Sequence, residues 1–197
     1  MKLLLATRNV KKLDELRRIL APLLDVEVVG LDDVASYEEV PETGATYADN
    51  ALLKAREAVK YTGLISMADD SGIAIDALNG MPGVLSARWA GTAKDDAANL
   101  RLVLQQLVDV PDERRGAAFV CAAALVTPDG AETVVEGHMP GRIVREPSGS
   151  HGFGYDPIFV AIGRNVTNAE LPPAEKDAIS HRGQALRALV PSITAAV

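Results

Sequence analysis

At 197 residues the chain is long enough for one ample hydrophobic core. A formal net charge of −7 excludes a general nucleic-acid binder, which needs a basic face, whereas a small anionic substrate needs only a few local cations. Hydrophobic content of 48% and charged content of 24% are those of a soluble globular protein, and no apolar run approaches a membrane span.

Residues 2–6 read as a buried first strand, too short and too weakly charged for a signal peptide. Thr7-Arg8-Asn9 is a polar turn, and a helix over 10–20 follows, with Leu13, Leu16, Ile19 and Leu20 on one face and Asn9 as N-cap. Such a strand–turn–helix entry points backbone N–H groups at an anion. Lys12 lies in the first helical turn, where a cation is unfavourable without an anionic partner. A second strand over 26–29 leads into an acidic segment, 32–44, that contains Glu42. Thr46 with Asp49 forms a capping box for a helix to about residue 61, which carries Lys54 among apolar neighbours.

Gly63-Leu64-Ile65 begins a buried strand, and Asp69-Asp70-Ser71-Gly72 reads as the turn at its carboxyl end, where α/β sheets gather ligands. Two adjacent carboxylates repel, so such a tip calls for cations or donors nearby. Extended chain continues over 73–75, Gly80-Met81-Pro82-Gly83 turns, and the only Trp, Trp89, sits in a loop over 86–91. Thr92 with Asp95 caps a helix to about residue 107, with Leu100, Val103, Leu104 and Leu107 inward. An apolar strand over 117–126 contains the lone Cys121, a buried small hydrophobe. One cysteine forms no internal disulfide and suits a reducing cytoplasm. Pro128-Asp129-Gly130 turns the strand into a hairpin partner over 132–136, and another short strand covers 142–144. Alternating strands and helices with one hairpin imply a mixed sheet.

Residues 148–157 place Gly149, Gly152 and Gly154 around Phe153, Tyr155 and Asp156. The loop bends tightly and lets a flat ligand approach the backbone, with Phe153 suited to stack on it. A strand over 158–160 follows, then a polar stretch over 168–177 with two prolines. Ser180 caps the last helix, whose start carries His181 and Arg182, with Lys176 just before. Three cations there oppose the helix dipole unless an electron-rich ligand joins them. No repeat, linker or low-complexity tract divides the chain, so 1–197 reads as a single α/β domain.

No phosphate-binding loop, dinucleotide fingerprint, zinc spacing or nucleophile elbow is present. Any metal would be a hard cation held by carboxylates, and Mg²⁺ fits best.

Seven runs occur in a fixed order. They are Ala6-Thr7-Arg8-Asn9-Val10-Lys11-Lys12, Glu42-Thr43-Gly44, Asn50-Ala51-Leu52-Leu53-Lys54-Ala55, Ala68-Asp69-Asp70-Ser71-Gly72, Pro82-Gly83-Val84-Leu85-Ser86-Ala87-Arg88, Gly152-Phe153-Gly154-Tyr155-Asp156-Pro157-Ile158-Phe159, and Glu175-Lys176-Asp177-Ala178-Ile179-Ser180-His181-Arg182-Gly183. The ordered set resembles the inosine triphosphate pyrophosphatase family over nearly the whole chain. One departure is Asp49, where many members carry Glu.

The resemblance implies an elongated mixed α/β sheet flanked by helices, two lobes with a substrate cleft between them, and a cytoplasmic homodimer with no nucleic-acid or membrane partner. It implies Mg²⁺-dependent hydrolysis of ITP, dITP and XTP to the monophosphate and pyrophosphate. By position, Asp70 would be general base and metal-linked carboxylate, and Glu42 would help hold Mg²⁺. Thr7, Arg8, Asn9, Val10, Lys11, Lys12, Lys54 and Ser71 would hold the triphosphate. Phe153, Gly154, Tyr155, Asp156, Lys176, His181 and Arg182 would hold the base. A nucleotide-binding sensor without turnover would lose a carboxylate of the metal site, and both Glu42 and Asp70 are present.

Overall fold

The computed structural model describes residues 2–38 and 40–197; Glu39, inside the acidic segment, lies outside them. The main elements in chain order are β1 (Lys2–Leu5), α1 (Val10–Leu20), β2 (Glu27–Gly30), α2 (Tyr47–Thr62), β3 (Ile65–Ile75), α3 (Asp96–Gln106), β4 (Gly116–Val126), β5 (Glu132–Ile143), β6 (Phe159–Ala161), α4 (Pro173–Ile179) and α5 (His181–Ala196). The strands form one sheet in the order β2-β1-β3-β4-β5-β6. β1 pairs in parallel with β2 and with β3, while β5 and β6 are antiparallel, so the sheet is mixed and the fold is α/β. Among the described residues no helix is long and apolar enough to cross a membrane.

Local signals set most boundaries. Asn9 caps α1 by accepting from the Lys12 N–H, and Thr46 with Asp49 makes the expected capping box on α2. α3 starts later than expected: Asp95 alone accepts from the Ala97 and Ala98 N–H groups, so the helix begins at Asp96 and Thr92 is no part of the cap.

Three larger corrections follow. Asp69-Asp70-Ser71-Gly72 is no turn; β3 runs unbroken for 11 residues through both carboxylates. The turn preference of Asp is overridden because cations meet these side chains and the strand has sheet neighbours on both sides. The two short strands expected over 132–136 and 142–144 are one strand, β5. Pro140 does not end it, and its carbonyl accepts from the Ile162 N–H at 2.9 Å. α4 lies in a stretch read as polar loop; Pro173 is its first residue, where proline's fixed φ suits a helix and its absent N–H is not needed.

The chain divides into two compact units. One comprises the chain up to Asp70, Cys121–Gly137 and Arg182–Val197; the other comprises Ser71–Val120 and His138–His181. The first has two apolar layers sorted by strand parity. Ile65 and Met67 pack with Leu16, Ile19, Leu186 and Leu189 of α1 and α5. Ala68, one residue on, packs with Ala51, Ala55 and Ala58 of α2. Successive strand residues point to opposite faces, so the two layers are one strand's two sides. The second unit is built on Ile73, Ile75, Val103, Phe119, Ile158 and Phe159.

Candidate active site

Strand parity also separates the paired carboxylates. Asp69 shares its face with Met67, toward α1 and α5; Asp70 shares its face with Ala68, toward α2.

Asp69 is 2% exposed. Its Oδ2 accepts from Lys12 Nζ at 3.0 Å and from Arg182 Nε at 3.2 Å, and the Cys121 thiol lies 3.9 Å away. Arg182 Nη1 pairs with Glu15. Two cations and two carboxylates balance, which is what lets Glu15, Asp69 and Arg182 stay out of water, while the Lys12 side chain keeps 15% of its surface exposed. Burial alone would raise the Asp69 carboxyl, but Lys12 and Arg182 outweigh it and hold it well below the usual range. The same balance lifts Arg182 above its ordinary value against the effect of burial. Burial, with Asp69 adding to it, pushes the Cys121 thiol up, so it is inert. Lys12 thus has the anionic partner its first-turn position called for.

Asp70 has a different set of neighbours. Lys54 Nζ donates to Asp70 Oδ1 at 3.2 Å and to Glu42 Oε1 at 2.8 Å. Asn50 Nδ2 donates to Asp70 Oδ2 at 3.2 Å, while Asn50 Oδ1 accepts from the Gly44 N–H at 2.8 Å. A Cβ at Gly44 would come within 2.5 Å of the Asp49 Cβ, so only glycine brings the chain this close to α2. Burial raises the Asp70 pKa; Lys54 and Lys12 pull it back, Glu42 pushes it up, and the net shift is upward. Burial works against the Lys54 ammonium, but Asp70, Asp69 and Glu42 together raise its pKa. Tyr47, one turn before Asn50, has a buried hydroxyl with no hydrogen-bond partner among the described atoms. Burial, then Asp70 and Glu136, push its pKa to about 12.

Glu42 and Asp70 therefore converge on one cationic point, and two carboxylates against one ammonium leave excess negative charge there. That donor set suits a hard divalent cation. Among the described residues no three His, Cys, Asp or Glu side chains stand together as a ready-made cage. Mg²⁺ needs none, since it binds through one or two carboxylates plus waters and substrate phosphates.

The other residues expected on the triphosphate are spread along the α1 entry. Thr7 Oγ1 accepts from the Asn9 N–H, Val10 is exposed, and the Arg8 guanidinium donates to the Tyr37 carbonyl at 2.6 Å. Lys11 is exposed and Ser71 half-buried.

In the second unit, Asp156 is buried and organises the glycine-rich loop. Its Oδ2 accepts from Lys176 Nζ at 2.6 Å and from the Phe153 N–H at 2.9 Å, and its Oδ1 from Asn168 Nδ2 at 3.2 Å. Gly152 has φ +72°, and a Cβ there would strike Asp156, so the loop closes only on glycine. The half-buried Phe153 ring faces Lys176 Nζ, 5.2 Å from the ring centre. The Gly154 N–H donates to Asp96, and the buried Tyr155 hydroxyl to the Ser86 carbonyl at 2.8 Å. His181 stacks on Phe119 at 4.8 Å and 10°.

The three cations expected as one group at the last helix start therefore have three environments. Lys176 belongs to α4 and pairs with Asp156, His181 lies on Phe119, and Arg182 pairs with Asp69 and Glu15. Protein carboxylates answer two of the three, which corrects the expectation that a ligand would have to. Sequence reasoning missed Glu15, whose setting beside Asp14 reads as ordinary helix surface, and gave no role to Asp69. The usable signals were the adjacent carboxylates, which call for cations nearby, and Lys12, a first-turn cation needing an anionic partner.

A sequence model of the Ham1 family matches residues 3–192. The dITP/XTP pyrophosphatase of Mycobacteroides abscessus is 65% identical over 195 residues, 98% of this chain and 95% of that protein. The crystal structure of the nucleoside-triphosphatase / dITP/XTP pyrophosphatase from Mycobacterium abscessus superposes with a TM-score of 0.79 at 66% identity, covering 97% of this chain and all (100%) of that one. A HAM1 protein from Coxiella burnetii gives a TM-score of 0.89 at 43% identity, with 100% of both chains covered. With the ordered motifs and the mixed sheet, these matches establish that the chain belongs to the Ham1 family.

Proposed function

We propose that the chain hydrolyses non-canonical purine nucleoside triphosphates, ITP, dITP and XTP, to the nucleoside monophosphate and pyrophosphate, and so cleanses the nucleotide pool. Its relatives named dITP/XTP pyrophosphatase support the reaction. The observation that carries it is the convergence of Glu42 and Asp70 on Lys54, beside an Asp70 whose pKa is raised.

A triphosphate repels a water nucleophile, and cations that neutralise it stabilise the transition state. Bound Mg²⁺ would supply Lewis-acid polarisation of the phosphates. Glu42 and Asp70 are its assigned ligands. Lys54, whose ammonium stands at both carboxylates, is assigned to a phosphate oxygen. Asp70 orients the attacking water and takes its proton as the oxygen bonds to phosphorus and the bridging P–O bond between the α and β phosphates breaks. Thr7, Asn9, Lys12 and Ser71 are assigned to the phosphate chain.

Base choice is assigned to Lys176 and His181 as donors, with Phe153 stacking. Lys only donates hydrogen bonds, and so does a protonated His, so a 6-oxo group is matched and the adenine amine is not. A site built to hydrogen-bond one partner rejects the other by about 10⁴-fold. Arg182, 2% exposed, acts through the Glu15–Asp69 network. The homodimer and the cytoplasmic location implied by the resemblance belong to the same proposal, and light scattering checks the first.

The test is a panel of ITP, dITP, XTP, ATP and GTP with products separated by ion-exchange chromatography. Monophosphate and pyrophosphate from the first three, with ATP slower by orders of magnitude, are expected. Orthophosphate as first product, or equal turnover of ATP, overturns the proposal.

A further inference from the structure

Residues 34–46, which carry Glu42 into α2, contain no helix or strand among the described residues. Three of their described residues are nonetheless held by contacts outside the segment. Gly44 is held by Asn50 and Glu42 by Lys54. The third fixing point lies away from the carboxylates. The Tyr37 ring stacks on Tyr61, with centroids 5.0 Å apart and planes 8° apart. The Arg8 guanidinium lies 5.9 Å over the Tyr37 ring and donates to the Tyr37 carbonyl at 2.6 Å. Lys60 Nζ lies 5.0 Å from the Tyr61 ring centre on the same stack.

Tyr61 is 53% exposed, so this ring is not placed there by core burial. The guanidinium, the two stacked rings and the ammonium together join the β1–α1 turn, the irregular segment and the end of α2. Offset or parallel rings with a guanidinium over one face are mutually attractive. Four residues lie between Tyr37 and Glu42, a tether of at most about 17 Å. Fixing Tyr37 therefore limits where the Glu42 carboxylate can go.

We infer that Arg8, Tyr37 and Tyr61 form a latch that positions Glu42, making Arg8 and Tyr61 positioning residues for the metal-binding carboxylate and removing Arg8 from the phosphate contacts. The inference rests on the reading of Glu42 as a Mg²⁺ ligand.

Two readouts separate the latch from that reading. In protein without nucleotide or metal, hydrogen–deuterium exchange over residues 37–44 is expected to speed up in Tyr61→Leu and in Arg8→Gln. The middle of α2 should stay unchanged, and Tyr61→Phe, which keeps the ring, should restore protection. Unchanged exchange in both variants overturns the latch. By calorimetry with Mg²⁺ alone, Tyr61→Leu should weaken binding about 3- to 10-fold, the scale of one lost stacking contact. Glu42→Gln should weaken it more, and Arg8→Gln with Tyr61→Leu should be no worse than either alone. Loosened exchange with Mg²⁺ affinity altered only by Glu42→Gln overturns the positioning role and leaves the metal site standing. If Glu42→Gln also leaves Mg²⁺ affinity unchanged, the metal reading fails and the inference falls with it. An Arg8→Gln loss of triphosphate binding beyond that of Tyr61→Leu returns Arg8 to the phosphates.

Discussion

Asp69 and Asp70 are the same residue type, adjacent on one strand, and they have opposite fates. Asp69 faces α1 and α5 and is sealed by Lys12 and Arg182, with Glu15 completing a balanced group. Asp70 faces α2, where one ammonium is shared between it and Glu42. Two cations close to its oxygens hold the first carboxyl ionised, while burial and a second carboxylate lift the pKa of the other. The contrast teaches that a buried carboxylate becomes available for chemistry when its neighbours leave it under-neutralised. Neutralisation by two cations makes Asp69 a structural member, even with its Oδ1 left without a hydrogen-bond partner among the described atoms.

The largest expected contrast is in turnover. Asp70→Asn should lower kcat/KM for ITP by about 10²–10⁴-fold through loss of the base alone. Its melting temperature should be unchanged or higher, because a group whose pKa is raised by folding opposes folding when ionised. A variant keeping a tenth of the activity breaks the assignment.

Next is stability. Asp69→Asn leaves Lys12 and Arg182 over-charged in the interior and should cost about 3–5 kcal/mol in urea unfolding. The sign with pH follows from the depressed folded-state pKa. The stabilisation by Asp69 is fully present above the unfolded value, about 3.9, and erodes as pH falls below it. The gap between wild type and Asp69→Asn should therefore narrow in acid. A gap that is small at neutral pH, or that widens in acid, would dissolve the distinction between the two carboxylates.

A smaller effect sharpens the Asp70 side. Lys54→Met removes the main charge that stabilises ionised Asp70, so the acid limb of the pH–kcat profile should move to higher pH. A limb moving to lower pH would mean that another group is the base. Least of all, Cys121→Ala removes only a weak donor to Asp69 and a small buried volume. It should cost about 1 kcal/mol in stability and leave kcat for ITP as it was.

Much of this was legible in the chain. Asn9 and the Thr46–Asp49 box fixed where α1 and α2 begin, since caps act within four residues. The ordered motifs identified the family, and Lys12, a cation in a first helical turn, announced the need for an anionic partner. The glycine spacing around Phe153 announced a tight loop, and Asp156 closes it. The Asp69–Gly72 turn was misread because its composition is that of a turn. Long-range partners make a strand of it: sheet neighbours on both sides, and for Asp69 the cations Lys12 and Arg182, 57 and 113 residues away in the chain.

The sequence by itself determined what is local or shared with relatives: the caps, the alternation of strands and helices, the family and the candidate residues. Tertiary structure alone decided which carboxylate meets which cation. Composition cannot express that choice, because it depends on strand parity, on which helix covers each face, and on whether the charges gathered there balance. Asp69 found two cations and closed; Asp70 found one, shared with Glu42, and stayed available.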